Sequence, residues 1–328
     1  MFSRKWNFIS GNLSLNVLSR DFLNPFLSSF IVILLLSILL YVVADANFKQ
    51  TQPFRVEGSF VIAAICKDGI IVASDSRGTL KDRQGRRIAY YDVNQKIFPL
   101  GDKLIADTGY ASLNDAKVSF LSALMSRFSH SPLSRVDVDQ LPNSYFKYAS
   151  IVLAPEGAAS ARLQTLVFAG YENTRPTICM YDGESRRGIK CRNSGYLSSP
   201  HQQILELENV SLLSFQDAAR VMKQTIDDYA AAVQPGSVGG PVVIRTITTS
   251  GSRWFATPPY WPRWEAFTDL AEDYKNNRIP FHLMPGISKE QLDRVIDDGA
   301  AWARLGQTSS ARGSTTDGPV IGSYPPDR

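Results

Sequence analysis

Residues 59–77 read SFVIAAICKDGIIVASDSR, and this stretch decides the fold. Two runs rich in Val and Ile, 59–66 and 70–74, flank Lys67-Asp68-Gly69. Apolar β-branched residues on both sides of an Asp-Gly turn predict a tight hairpin, with the glycine taking the positive-φ place.

Downstream, 81–87 (KDRQGRR) reads as a polar loop, followed by short strands at 96–100 and 103–107. From 112 to 130, Leu113, Phe120, Leu121, Leu124, Met125 and Phe128 recur at helical spacing, with Ser112 or Asn114 as cap. Strands are predicted at 148–153, 163–169 and 177–181, the last turning at Asp182-Gly183 and returning over 190–193. A second amphipathic helix is predicted over 214–231, with Ser214 as N-cap and Asp217 in its first turn, and a strand over 242–248. Two helices among two groups of antiparallel strands imply layers, because each sheet needs helices to bury its outer face. The fold class expected for 59–250 is α+β, a four-layer αββα sandwich. Beyond it, Pro258, Pro259 and Pro262 break the pattern; 251–306 is a partly helical extension with one helix over 289–305, and 307–328 is a disordered tail.

Upstream, 26–43 (FLSSFIVILLLSILLYVV) carries no charge and reaches about 27 Å as a helix, the thickness of a hydrocarbon core. Arg4, Lys5 and Arg20 keep 1–25 in the cytoplasm, so the chain beyond Val43 faces away from it, membrane-anchored or exported. Ala44-Asp45-Ala46 has the small-x-small form of a signal-peptidase site, which leaves anchor and cleaved signal both open. Residues 44–58 are then linker or propeptide.

Composition narrows the function classes. Of 328 residues, 44% are hydrophobic and 20% charged, enough for a real core, and the net charge is +4. Arginines lie in loops without interleaved aromatics, so no nucleic-acid partner is expected. Three Cys and three His lack metal-ligand spacing, so neither metal nor other cofactor is expected. Cys179 and Cys191 stand across the predicted hairpin as candidates for a disulfide, but two unpaired buried thiols are the expectation.

The stretch 59–77 resembles the opening of proteasome β-type subunits and related bacterial ring proteases, N-terminal-nucleophile hydrolases. In that family a nucleophile begins the first strand, an Asp ends the second within A-D-x-R, and a Lys opens the third. Ser59, Asp75 with Arg77, and Lys96 hold those places here. Ala106 to Gly109 resembles the turn whose glycine amide forms the oxyanion hole, and Asn193-Ser194-Gly195 resembles the G-S-G element near the active site. The resemblance therefore implies Ser59, Asp75, Lys96, Gly109 and Ser194 as catalytic residues, Thr79 and Asp107 beside the substrate, and Gly58 at a processing site. The chain departs from the family's D-x-x-S-G-G, because Pro235 and Val238 stand where the Asp and Ser would be.

Chemistry gives these residues meaning. A serine hydroxyl is a weak nucleophile and needs a base. A free α-amine, titrating near pH 7.7–8.0, supplies one, whereas an amide nitrogen cannot. A cut at Gly58–Ser59 is thus required. Lys96 beside Asp75 would lower the proton affinity of the nucleophile, and the Gly109 amide would stabilise the oxyanion. Each residue also has a plain structural reading: Ser59 starting a strand, Asp75 and Lys96 as a buried ion pair, Asp107 ending its strand in a turn, Ser194 capping a turn. The expected function is an endopeptidase acting on peptide or amide substrates, as a homo-oligomer. The alternatives are a catalytically silent assembly or binding subunit, motivated by Pro235 and Val238, and an amidase or acylase.

Overall fold

The computed structural model describes residues 52–183, 188–200, 203–233, 236–255 and 260–311. The chain divides into two units, Met1–Gln50 and Thr51–Arg328, and the described residues all belong to the second.

The predicted hairpin is the centre. Strands β2 (Val61–Cys66) and β3 (Gly69–Ser74) pair antiparallel from Val61↔Ser74 to Cys66↔Gly69, with every residue buried. Gly69 takes φ +140°, and a Cβ there would stand 2.4 Å from the Ile247 carbonyl oxygen. Adding β11 (Gly195–Ser199), β12 (Val243–Thr248) and β13 (Gly251–Trp254) gives a first sheet ordered β11-β2-β3-β12-β13. The second sheet, β10-β9-β8-β7-β6, comprises β6 (Ile97–Leu100), β7 (Lys103–Thr108), β8 (Thr165–Glu172), β9 (Arg175–Asp182) and β10 (Ile189–Arg192).

Strand alternation explains why both sheets are covered twice. Val61, Ala63, Ile70 and Val72 meet Leu104, Ala106, Val167 and Ile178 of the second sheet. Ile62, Ala64, Ile71 and Ala73 point the other way and pack with Ala218, Ala219, Met222 and Ile226 of a helix at Phe215–Ala232. Its cap is as predicted: the Ser214 hydroxyl accepts from the Asp217 amide. Ile105, Leu166 and Phe168, on the far side of the second sheet, pack with α1 (Leu121–Ser129) and α2 (Leu141–Val152). A short α3 (Pro155–Ala161) follows, and the helix at Phe215–Ala232 is α4.

A third sheet overturns the four-layer αββα expectation. It is ordered β1-β4-β5-β14, from β1 (Phe54–Glu57), β4 (Gly78–Asp82), β5 (Arg87–Tyr91) and β14 (His282–Leu283), and every pairing in the three sheets is antiparallel. The fold is therefore mostly antiparallel sheet, fourteen strands in three sheets with six α-helices among the described residues. The polar 81–87 is the tip of a hairpin: the Asp82 carboxylate accepts from the Gln84 and Arg86 amides at 3.0 and 2.9 Å, while Leu80, Ile88, Ala89 and Tyr91 face inward. α5 (Phe267–Lys275) and α6 (Lys289–Ala311) cover this sheet, with Phe267, Leu270, Leu292, Ile296 and Trp302 against Phe54 and Val56. Within β1, Phe54 and Val56 are buried in this cluster, while Arg55 is exposed and Glu57 half-buried.

Other elements also differ. The helix expected from 112 begins at Leu121, because the Asp115 carboxylate captures the Lys117, Val118 and Ala154 amides and holds the preceding residues in a loop. Residues 148–153, read as strand, end helix α2. Cys179 and Cys191 face each other across β9 and β10 with Cα atoms 4.0 Å apart and form a disulfide, correcting the expected free thiols. No helix among the described residues is long and apolar enough to cross a membrane. Residues 26–43, where the anchor or signal is predicted, lie outside the described residues.

Candidate active site

Ser59 precedes β2 and is 8% exposed. Its hydroxyl donates to the carbonyl oxygen of Gly58 at 2.5 Å. The backbone conformation behind this contact admits no other residue at 58: φ is +104°, and a Cβ would stand 2.2 Å from the Ser237 carbonyl oxygen. The Gly58 amide donates to the Gly109 carbonyl at 3.1 Å.

Asp75 follows β3 and is fully buried. Its Oδ1 accepts from the Phe60 amide and the Lys96 ammonium, both at 2.8 Å; Oδ2 accepts from the Gly239 amide at 3.0 Å and the Arg77 amide at 3.3 Å. One oxygen therefore links Lys96 to the residue next to Ser59. Lys96 itself is 0% exposed, a buried ion pair whose charges are compensated by good geometry. Arg77 turns outward into a bidentate pair with Asp92 at 2.7 and 2.9 Å.

Gly109 takes φ +103°, and nothing stands within 4 Å of where its Cβ would be. Open space beside Gly109 thus adjoins the Gly58–Ser59 peptide. Thr108 places its hydroxyl 3.4 Å from the Ser59 carbonyl and 3.3 Å from the Ser199 hydroxyl. Sequence reasoning missed Thr108 and Ser199. Strand alternation carried the signal, because Thr108 shares the face of Leu104 and Ala106, which look toward the hairpin.

Thr79 is buried beside Gly58, 3.5 Å from where a Cβ on that glycine would be, and its hydroxyl donates to the Gly236 carbonyl. Asp107 is 1% exposed and alternates to the side of Ile105, toward the helices. Its Oδ1 has no hydrogen-bond partner, and neither do the hydroxyls of Tyr91 and Tyr145. Burial pushes the Asp107 carboxyl from 3.8 up to about 7, with Lys96 opposing the rise and Asp75 adding to it. Burial, and then the nearby Asp107, also raise both tyrosines. Ser194 does not join the group. Gly195 pairs with Ile65 and Ser199 with Val61, so Ser194 lies at the opposite end of β2, roughly 20 Å along the strand from Ser59. Pro235 is outside the described residues, while Val238 is buried in the apolar core under α4.

Among the described residues no group of three or more His, Cys, Asp or Glu side chains converges as a metal would require. A cavity of about 380 Å³ opens beside the segment before Gly58, lined in part by Arg55, Tyr110, Ser112 and Glu156.

No family model matches the chain, and no curated protein matches it. Among solved structures, the chain is weakly similar to Anbu, a proteasome-like N-terminal-nucleophile protein, in the form of the Anbu (Gly-1) mutant from Hyphomicrobium sp. strain MC1. The TM-score is 0.42 and the identity 11%, over 80% of this chain and 100% of that one. A likeness so weak carries no argument here. The resemblance of 59–77 to proteasome β-type subunits is accordingly corrected: a short apolar hairpin with an Asp-Gly turn is a pattern unrelated chains share, and membership of that family is not shown.

Proposed function

We propose that this protein is a self-processing amide hydrolase whose nucleophile is the hydroxyl of Ser59. The observation that carries the reading is that hydroxyl, held 2.5 Å from the Gly58 carbonyl oxygen. In the first step Ser59 Oγ bonds to the Gly58 carbonyl carbon, the C–N bond breaks, and the hydroxyl proton goes to the departing nitrogen. Water then hydrolyses the ester, leaving a Gly58 carboxylate and a free α-amine on Ser59. That amine titrates near pH 7.7–8.0 and serves as base for the same hydroxyl toward later peptide or amide substrates. The Lys96 ammonium, joined through Asp75 to Phe60, favours the deprotonated nucleophile electrostatically. Were the Gly109 amide to donate into the open space beside that residue, it would stabilise an oxyanion there.

The disulfide between Cys179 and Cys191 supports placing this domain in an oxidising compartment, outside the cytoplasm. A second reading, a non-cleaving binding protein, is favoured by Val238, which brings an apolar side chain into the core where a polar group would support a site. Mass spectrometry separates the two. The hydrolase reading expects an N-terminus at Ser59, abolished by Ser59→Ala and strongly slowed by Gly58→Ala, whose Cβ meets Ser237. A mature chain retaining Phe54 and Arg55 in covalent continuity with Ser59 sinks it.

A further inference from the structure

Self-cleavage makes the residues before Gly58 the protein's first substrate, so the manner in which they are held describes a groove for the acyl side of any peptide that follows. Strand β1 is bonded along both edges. On one side it pairs with β4, from Phe54↔Asp82 to Glu57↔Thr79. On the other, the Ala111 amide donates to the Val56 carbonyl at 2.7 Å, the Val56 amide to the Ser112 hydroxyl at 3.0 Å, and the Gly58 amide to the Gly109 carbonyl at 3.1 Å. Backbone pairing of this kind takes any extended peptide, so selectivity falls to the alternating side chains.

Three of those side chains are enclosed: Val56 lies in the same apolar cluster as Phe54, and Phe54 and Glu57 each meet a pocket of distinct chemistry. Glu57, second before the cut bond, forms ion pairs with Lys81 and, at 3.6 Å, with Arg87, all three largely shielded from solvent. Phe54, fifth before it, is 0% exposed; its ring centroid lies 3.6 Å from that of Phe267 on α5 and 5.8 Å from that of Trp302 on α6. Arg55, also between them, is exposed and lies over the Tyr110 ring at 5.8 Å. The two pockets come from different parts of the chain: the basic pair from the β4–β5 hairpin, the aromatic one from the helices after residue 266.

We propose that the groove selects extended peptides carrying an acidic residue second before the cut bond, read by Lys81 and Arg87, and an aromatic residue fifth before it, read by Phe267 and Trp302. This rests on the self-cleavage reading, so the test begins by establishing an N-terminus at Ser59 in the processed protein. Four peptides ending in an aminocoumarin amide are then compared: Phe-Arg-Val-Glu-Gly, the same with Lys for Glu, the same with Ala for Phe, and the double change. kcat/KM is measured for each, together with anisotropy competition using non-cleavable versions. Each single change is expected to lower both turnover and binding about tenfold or more. Lys81→Glu should invert the acidic preference and leave the aromatic one, while Trp302→Ala should do the reverse. A released segment that stays seated is displaced by the four peptides in the same order, visible as its mass in the wash. Equal behaviour of the four, or failure of the parent peptide to bind a chain that begins at Ser59, overturns the groove assignment. An uncut Gly58–Ser59 bond instead overturns the self-cleavage reading beneath it.

Discussion

Two buried carboxylates flank Lys96, and they live in opposite conditions. Asp75, at the end of β3, receives four hydrogen bonds from Phe60, Arg77, Gly239 and Lys96. Asp107, near the end of β7 in the second sheet, leaves one oxygen without a partner, as do the buried hydroxyls of Tyr91 and Tyr145. Exposure does not separate them, at 0% and 1%. Donors do. Donated N–H bonds compensate a carboxylate for the water it loses on burial, whereas at Asp107 burial without them favours holding the proton. The first arrangement fixes the backbone next to Ser59; the second stores a proton at near-neutral pH.

The largest test of this contrast is Asp75→Asn. It strands the fully buried Lys96 ammonium, so chemical denaturation should show a loss of about 3–5 kcal/mol and the chain should stay uncut at Gly58. Adding Lys96→Met should recover part of the stability and none of the cleavage. A loss below about 1 kcal/mol for Asp75→Asn would mean the four bonds matter little. Next in size is the pH dependence from Asp107. Its folded pKa, about 7, stands above the unfolded 3.8, so the folded chain holds this proton more tightly. The resulting stability is full below about pH 4, falls as pH rises toward about 7, and is absent above, a change of roughly 2–4 kcal/mol. Urea midpoints should show this decline in the wild type and lose it in Asp107→Asn; parallel curves would refute the assignment. The smallest effect is expected from Tyr145→Phe. Removing a buried hydroxyl that has no partner should shift the stability by less than about 1 kcal/mol, in either direction, in a melting experiment.

The hairpin at 61–74 was legible because its turn and its apolar runs agree at every level. The third sheet was not. Residues 81–87 are charged because they form the tip of a hairpin, and the inward Leu80 and Ile88 that betray it are too few to show a period. β1 is four residues long and draws its stability from helices more than two hundred residues away, a partner no local pattern reveals. Helix α2 misled because Ile151 and Val152, exposed at 67% and 37%, give its end a β-branched look while Tyr145, Phe146 and Ala149 do the packing. At the candidate site, the convergence of Ser59, Asp75 and Lys96 depends on strand order, which spacing along the chain does not encode. Thr108 and Ser199 are single hydroxyls on strands, and Ser194 was drawn in by its neighbours in sequence although register carries it to the other end of β2.

The bridge between Cys179 and Cys191 bears on how copies of this protein avoid one another. β10 is the outermost strand of its sheet, with all four residues exposed, and such a rim offers unpaired amides and carbonyls to any passing strand. Lys190 and Arg192 repel a similar rim, and the bridge keeps β10 fastened over the better-buried β9. A reductant would free that cover at one edge of its sheet, while Lys96, just before β6, and Thr108, on β7, stand toward the opposite edge and Ser59 with Asp75 at the other sheet's hairpin. Light scattering should then rise before any change in the processing of Gly58, marking this bond as a guard of solubility rather than of chemistry.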